Sequence, residues 1–141
     1  MVEEWRELHQ YRGNYLISSH GNLKRIYKRN GISYCEDVAP HKCQGYLNAC
    51  LKKKSSSYSE KTVGIHRLVG EAFLGRIGKR KCINHMNNNP SDNRVENLEI
   101  VTYGENARHG AMLRTKINWI KGSCIKCLYR KTTGAICAIC L

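Results

Sequence analysis

Nothing in this 141-residue chain runs long and apolar enough to read as a transmembrane helix, which takes about 18 to 20 apolar residues in a row. Its start, Met1-Val-Glu-Glu-Trp-Arg-Glu7, is charged and lacks the apolar core of a secretory signal. These two absences lead us to expect an intracellular protein of the cytoplasm, with no membrane partner. Acidic residues are scarce, 11 Asp and Glu against 24 Lys and Arg. The resulting net charge of +13 and pI of 9.6 set up a field that attracts polyanions, of which nucleic acid is the commonest. Aromatic residues make up 8% and hydrophobic residues 41%, enough for a modest core in one compact domain or two or three small modules. Small cores of this kind usually need a staple. No internal repeat is present. Eight cysteines in a reducing compartment argue for metal rather than disulfides.

Along the chain, residues 1 to about 55 look β-rich. Tyr15-Leu-Ile-Ser-Ser19 has strand composition, His20-Gly21-Asn22 is a turn, and Leu23-Lys-Arg-Ile-Tyr-Lys28 reads as the returning strand of a hairpin. Lys24, Arg25, Lys28 and Arg29 make that stretch basic. Gly45-Tyr-Leu-Asn-Ala-Cys-Leu51 is a further strand candidate. The polar run from Lys52 to Lys61 reads as a loop or linker between modules. Over Val63 to Leu74, the positions Ile65, Leu68, Val69, Ala72 and Phe73 recur at helical spacing and predict an amphipathic helix with one buried face. A basic loop with Lys79 and Arg80 follows.

The segment Cys82 to Gly110 carries most of the information. Cys82-Ile83-Asn84 predicts a strand, Met86 to Asn93 a polar loop, and Leu98-Glu-Ile-Val101 a second strand. Thr102 with Glu105 forms a capping box, so a helix begins near Tyr103 and Asn106 sits in its first turn. In a strand–loop–strand–helix order, Asn84 and Asn106 could offer carbonyl oxygens to one Mg²⁺, a cation that prefers oxygen ligands and is often held by few protein groups plus a phosphate. His85, next to Asn84, could activate a water, because an imidazole titrates near neutral pH. The chemistry these residue types suit is phosphodiester hydrolysis.

The segment from Val63 to about Gly110 resembles the His-Asn-His, or ββα-metal, nucleases, and among them the homing-type endonucleases of bacteriophages. The resemblance rests on Ile65-His66-Arg67-Leu68-Val69 with Ala72-Phe73, then Asn84-His85, Asp92-Asn93, Glu96-Asn97-Leu98-Glu99 and Glu105-Asn106. It implies that His85 is the general base, that Asn97 ties the loop near it, and that Asn106 and Asn84 hold metal. Asn84 departs from the Asp that is frequent at this position, and two neutral amides would bind Mg²⁺ weakly without the phosphate. His66 and Arg67 read as structural or phosphate-contacting residues, and His109 as an accessory group. Trp5, Tyr11, Gly13, Tyr15, Ile17-Ser18, Gly21 and Leu23 resemble the small nuclease-associated module that precedes such segments, which implies a β element that helps hold DNA.

At the C-terminus, Cys124-Ile-Lys-Cys127 and Cys137-Ala-Ile-Cys140 are two C-x-x-C pairs whose spacing suits a tetrahedral structural Zn²⁺. Cys35, Cys43, Cys50 and Cys82 are irregularly spaced and read as isolated thiols. The expected architecture is α+β: an N-terminal β module over 1–60, a ββα-metal core over 61–115 and a small zinc ribbon over 116–141. The expected function is Mg²⁺-dependent cleavage of double-stranded DNA by a monomer or weak dimer. The rival readings are a catalytically inactive DNA-binding regulator and a zinc-ribbon nucleic-acid adaptor.

Overall fold

A computed structural model describes residues 2–11, 14–52 and 60–120, with side chains described as far as residue 114. The four cysteines of the expected zinc ribbon lie outside the described residues, as does Gly13. Two compact units meet in sequence between Thr102 and Tyr103.

In the first unit, β1 (Trp5–Glu7), β2 (Tyr15–Ser18), β3 (Leu23–Arg29) and β4 (Ile32–Asp37) form an antiparallel sheet in sequence order. A second antiparallel sheet holds β5 (His41–Cys43), β6 (Tyr46–Lys52) and β7 (Glu60–Gly64). The hairpin over Tyr15–Lys28 forms with its turn at His20–Asn22, and Ser18 Oγ accepts hydrogen bonds from the backbone N–H groups of His20 and Asn22 (3.2 and 2.9 Å). Two expectations change. The stretch from Lys52 to Lys61 is not simply a linker, because Lys52 pairs with Glu60 and Leu51 with Lys61, so its ends are sheet rungs. The helix expected over Val63–Leu74 begins only at Ile65. It runs as α1 (Ile65–Val69) and widens into a π-helical turn (Gly70–Leu74), while Val63 and Gly64 finish β7.

β8 (Lys81–His85) and β9 (Leu98–Thr102) then pair antiparallel, with Asn84 opposite Glu99 and His85 opposite Leu98. Between them runs the Asn-rich loop, closed by a 3-10 turn at Val95–Asn97. The second unit opens with α2 (Tyr103–Ile120), which carries Glu105 in its first turn. The chain is therefore α+β, with N-terminal sheets followed by a ββα order. Among the described residues, no helix is long and apolar enough to cross a membrane.

One core serves the sheets and the ββ segment together. Ile17, Leu51, Ile65, Leu68 and Val69 are fully buried, and Tyr11, Tyr15, Leu23, Ile83 and Leu98 close around them. The helical spacing read from the sequence is the one that packs, with Ala72 and Phe73 at its edge. Burying each such aliphatic side chain contributes about 1.5–3 kcal/mol. Because the core is shared, the N-terminal sheets do more than precede the ββ segment: they form the surface against which it folds.

Candidate active site

His85 ends β8 and is 6% exposed; Asn84, Asn93 and Asn97 beside it are 7%, 3% and 8% exposed. Four buried polar side chains around one strand end need partners, and the loop supplies them. Asn97 is the hub. Its Oδ1 accepts the backbone N–H of Asn87 (2.9 Å), and its Nδ2 donates to Asn87 Oδ1 (3.0 Å) and to the Asp92 carbonyl (2.9 Å). Its backbone carbonyl accepts the N–H of Met86 (2.8 Å), so the first and last residues of the loop are held together. Asp92 accepts from Arg94 through both oxygens (2.9 Å each) and from Asn87 Nδ2 (2.7 Å). The Arg94 hydrogen bond comes first among the causes that hold its carboxyl down at about 2.

The N-terminal sheets fasten this loop from behind. Ser91 Oγ donates to the Gly45 carbonyl at the β5–β6 turn (3.1 Å), and the Val95 N–H donates to the Ser19 carbonyl beside the β2–β3 turn (2.8 Å). Gly21, at φ +87°, lies so close that a Cβ there would stand 2.8 Å from that of Asn93.

These contacts fix the chemistry of His85. Asn93 Nδ2 is directed to the Ser91 carbonyl (3.4 Å), which turns Oδ1 toward His85 Nε2 (3.2 Å). An amide oxygen only accepts, so Nε2 carries the proton and Nδ1 is left as the basic lone pair. Burial pushes the His85 pKa below its usual value, opposed by the Asn93 hydrogen bond and the Asp92 charge, and the ring is neutral at pH 7. A neutral imidazole with its tautomer fixed is what a general base requires.

Asn84 donates through Nδ2 to Glu99 Oε1 across the β8–β9 rung (2.8 Å), which orients its amide. An amide oxygen with a carboxylate next to it is a donor set that fits a hard, oxygen-preferring cation such as Mg²⁺. Asn106 lies in the first turn of α2, with His109 three residues further along that helix. Among the described residues no three His, Cys, Asp or Glu side chains cluster as a metal site. Cys35, Cys43 and Cys50 are exposed thiols, and Cys82 is half-buried.

The basic residues are more scattered than the sequence suggested. Strand alternation puts Lys24 and Lys28 on one face of β3 and Arg25 and Arg29 on the other. Lys24 Nζ sits 4.6 Å from the Trp5 ring and Arg25 5.9 Å from that of Tyr27. Arg67, Lys79 and Arg80 are exposed.

Two residues of the site, and the placement of a third already singled out, escape sequence reasoning. Asn93 reads from the sequence only as a loop position, because no local pattern shows that its amide meets His85. Tyr46 comes from β6, and its ring lies 6.0 Å from that of His85. His66, from α1, stands 5.3 Å from His85 and 5.2 Å from Tyr46 by ring centroid.

The HNH endonuclease family model matches residues 63–108, the span that contains His66, the loop and His85. Over those residues the chain carries the HNH endonuclease signature. The chain is 35% identical over 115 residues to the uncharacterized HNH endonuclease L247 of Acanthamoeba polyphaga mimivirus, a match that covers 80% of the chain and 27% of the viral protein. It is 38% identical over 74 residues to the SPbeta prophage-derived putative HNH homing endonuclease YosQ of Bacillus subtilis (strain 168), covering 51% of the chain and 39% of that relative. It thus spans well under half the length of these curated relatives. Among solved structures, that of DNA binding and cleavage by the HNH homing endonuclease I-HmuI superposes with a TM-score of 0.63 at 25% identity, over 84% of this chain and 68% of that one.

Proposed function

We propose that the protein is a DNA endonuclease of the homing type that hydrolyses a phosphodiester bond in double-stranded DNA, with His85 as general base. The observation that carries this reading is the Asn93–His85 hydrogen bond, which leaves Nδ1 as the lone pair available to a water. In the proposed step, Nδ1 takes a proton as the water oxygen attacks phosphorus. The bond from phosphorus to the leaving oxygen then breaks, giving a 5′ or 3′ phosphate according to the bond cut. Asn84 and Asn106 would hold Mg²⁺, which when bound neutralises phosphate charge and stabilises the leaving oxygen. Asn97 keeps the loop closed around the base.

The DNA is held by Lys24, Arg25, Lys28 and Arg29 of β3 and by His66, Arg67, Lys79 and Arg80 of the core, through phosphate contacts that position without reading sequence. One site per chain implies a nick by a monomer; two cuts require a weak dimer or a second event. We assign 1–60 to the DNA-holding module, 61–115 to the nuclease core and 116–141 to a tail in which Cys124, Cys127, Cys137 and Cys140 bind structural Zn²⁺. The place of action is the cytoplasm of a host cell.

The test is nicking of a supercoiled plasmid with Mg²⁺, with EDTA and with His85→Ala. Conversion to open circles that needs Mg²⁺ and disappears in the variant is the expected result, with DNA binding retained. Cleavage at the wild-type rate by His85→Ala removes the assignment of the base. Intact binding with no divalent-dependent nicking on any duplex favours the regulator reading. Metal analysis should find about one Zn²⁺ per chain, lost when Cys137 and Cys140 are replaced by Ser.

A further inference from the structure

We propose that His66 is a second catalytic residue, which donates a hydrogen bond from its Nε2–H to a non-bridging oxygen of the phosphate under attack. The inference rests on the nuclease reading of the same site and adds to it a fixed donor beside the base.

Four observations lead there. The ring belongs to the site: its centroid is 5.3 Å from that of His85, at 59°, and 5.2 Å from that of Tyr46. Its place is prepared by Gly64, because a Cβ there would meet His66 Cε1 at 2.5 Å and Nδ1 at 2.9 Å. Gly64 has an ordinary extended conformation (φ −68°, ψ 135°), so its missing side chain is explained by the ring and not by the backbone. Finally, His66 Nδ1 is buried and has no hydrogen-bond partner among the described residues.

The bare nitrogen decides the tautomer. A buried N–H without an acceptor forfeits a strong hydrogen bond, whereas an unpaired lone pair costs less. The proton of the neutral ring therefore resides on Nε2, which becomes the one donor that His66 has. Burial comes first, and the nearby His85 second, in lowering the His66 pKa to about 4, so the ring is a neutral donor at pH 7 and not a cation. That neutrality matters beside a base. A charged His66 would oppose the positive charge that His85 acquires as it takes the proton, whereas a neutral N–H can meet the charge growing on phosphate oxygen. A histidine serving only to fill space would gain from replacement by an apolar ring, since its buried nitrogen makes no bond within the protein.

The test compares wild type, His66→Phe, His66→Ala, Gly64→Ala and the Gly64→Ala/His66→Ala double variant. Single-turnover nicking of a supercoiled plasmid in Mg²⁺ gives the rate, gel-shift titration of a duplex in EDTA gives the affinity, and thermal melting checks the fold. His66→Phe keeps the ring and loses the donor. It should slow nicking by about 100-fold, far more than it weakens binding, which loses one phosphate contact among many. Gly64→Ala should slow nicking with His66 present and add nothing once His66 is Ala. Imidazole ¹⁵N shifts of the metal-free protein should report a protonated Nε2 and a bare Nδ1. Wild-type nicking by His66→Phe, or the opposite tautomer, overturns this inference alone. Nicking by neither wild type nor any variant, across a plasmid library of random inserts, overturns the nuclease reading and this inference with it.

Discussion

Replacing Asn97 by Ala tests whether the catalytic loop is held by one side chain. Asn97 makes three hydrogen bonds through its amide, to the Asn87 N–H (2.9 Å), Asn87 Oδ1 (3.0 Å) and the Asp92 carbonyl (2.9 Å). Each contributes about 0.5–1.5 kcal/mol net of competing water. Asn97 is buried but Asn87 is exposed, so water can re-satisfy some of the orphaned groups, and the sum is reduced to about 2–3 kcal/mol. In a unit of this size each kcal/mol moves Tm by about 4–8 °C, so a fall of roughly 10–20 °C is expected. Asn89→Ala is the control. It removes one exposed bond, to the Ser91 N–H (3.1 Å), and should cost less than about 1 kcal/mol. Asn97→Asp keeps the acceptor but turns a carboxylate toward two acceptor oxygens, and should be no more stable than the alanine variant. Urea unfolding of the four proteins measures these differences. An Asn97→Ala variant within about 0.5 kcal/mol of wild type would refute the argument, because the loop would then be closed by its backbone alone.

Three further outcomes are expected. Asn93→Leu, close in volume, removes the acceptor of His85 Nε2–H and frees the ring to adopt the wrong tautomer; nicking should fall at least about tenfold, and an unchanged rate would show that Asn93 does not orient the base. Gly21→Ala should destabilise by about 1–3 kcal/mol in thermal melting, since it forces a Cβ into a φ of +87° and to within 2.8 Å of Asn93. The half-buried His66 makes stability depend on pH: with a folded pKa of about 4 against an ordinary 6.5, the unfolded chain binds more protons between those values. Its contribution is full above about pH 6.5 and is lost as pH falls toward 4. Urea unfolding at pH 5 and 7 should show this loss, and His66→Phe should show less of it.

Strand and helix types in the ββα segment were legible because each is written locally. Short apolar runs mark β8 and β9, and the 65, 68, 69, 72, 73 spacing marks the helical face that the core receives. What local pattern misses is pairing at a distance. β4, β5 and β7 are short, largely exposed strands whose residues give little apolar signal, and they exist because β3 and β6 offer edges to them. The π-helical turn after α1 is likewise invisible to a 3.6-residue period.

The sequence by itself determined the charge that draws this protein to polyanions, the family motif, and the identity of His85, Asn84 and Asn97 as the residues worth placing. Their types and spacing suffice because a strand–loop–strand unit of fixed length returns them to one end. Only the tertiary structure decided which nitrogen of His85 faces a hydrogen-bond acceptor, since that depends on an amide eight residues away. It alone decided that Tyr46 and His66 stand beside His85, brought there by β6 and α1 packing on a shared core. It also decided that the four basic residues of β3 divide between two faces. Proton position, ring packing and facing direction are relations between distant parts of the chain, and no local pattern of residues encodes them.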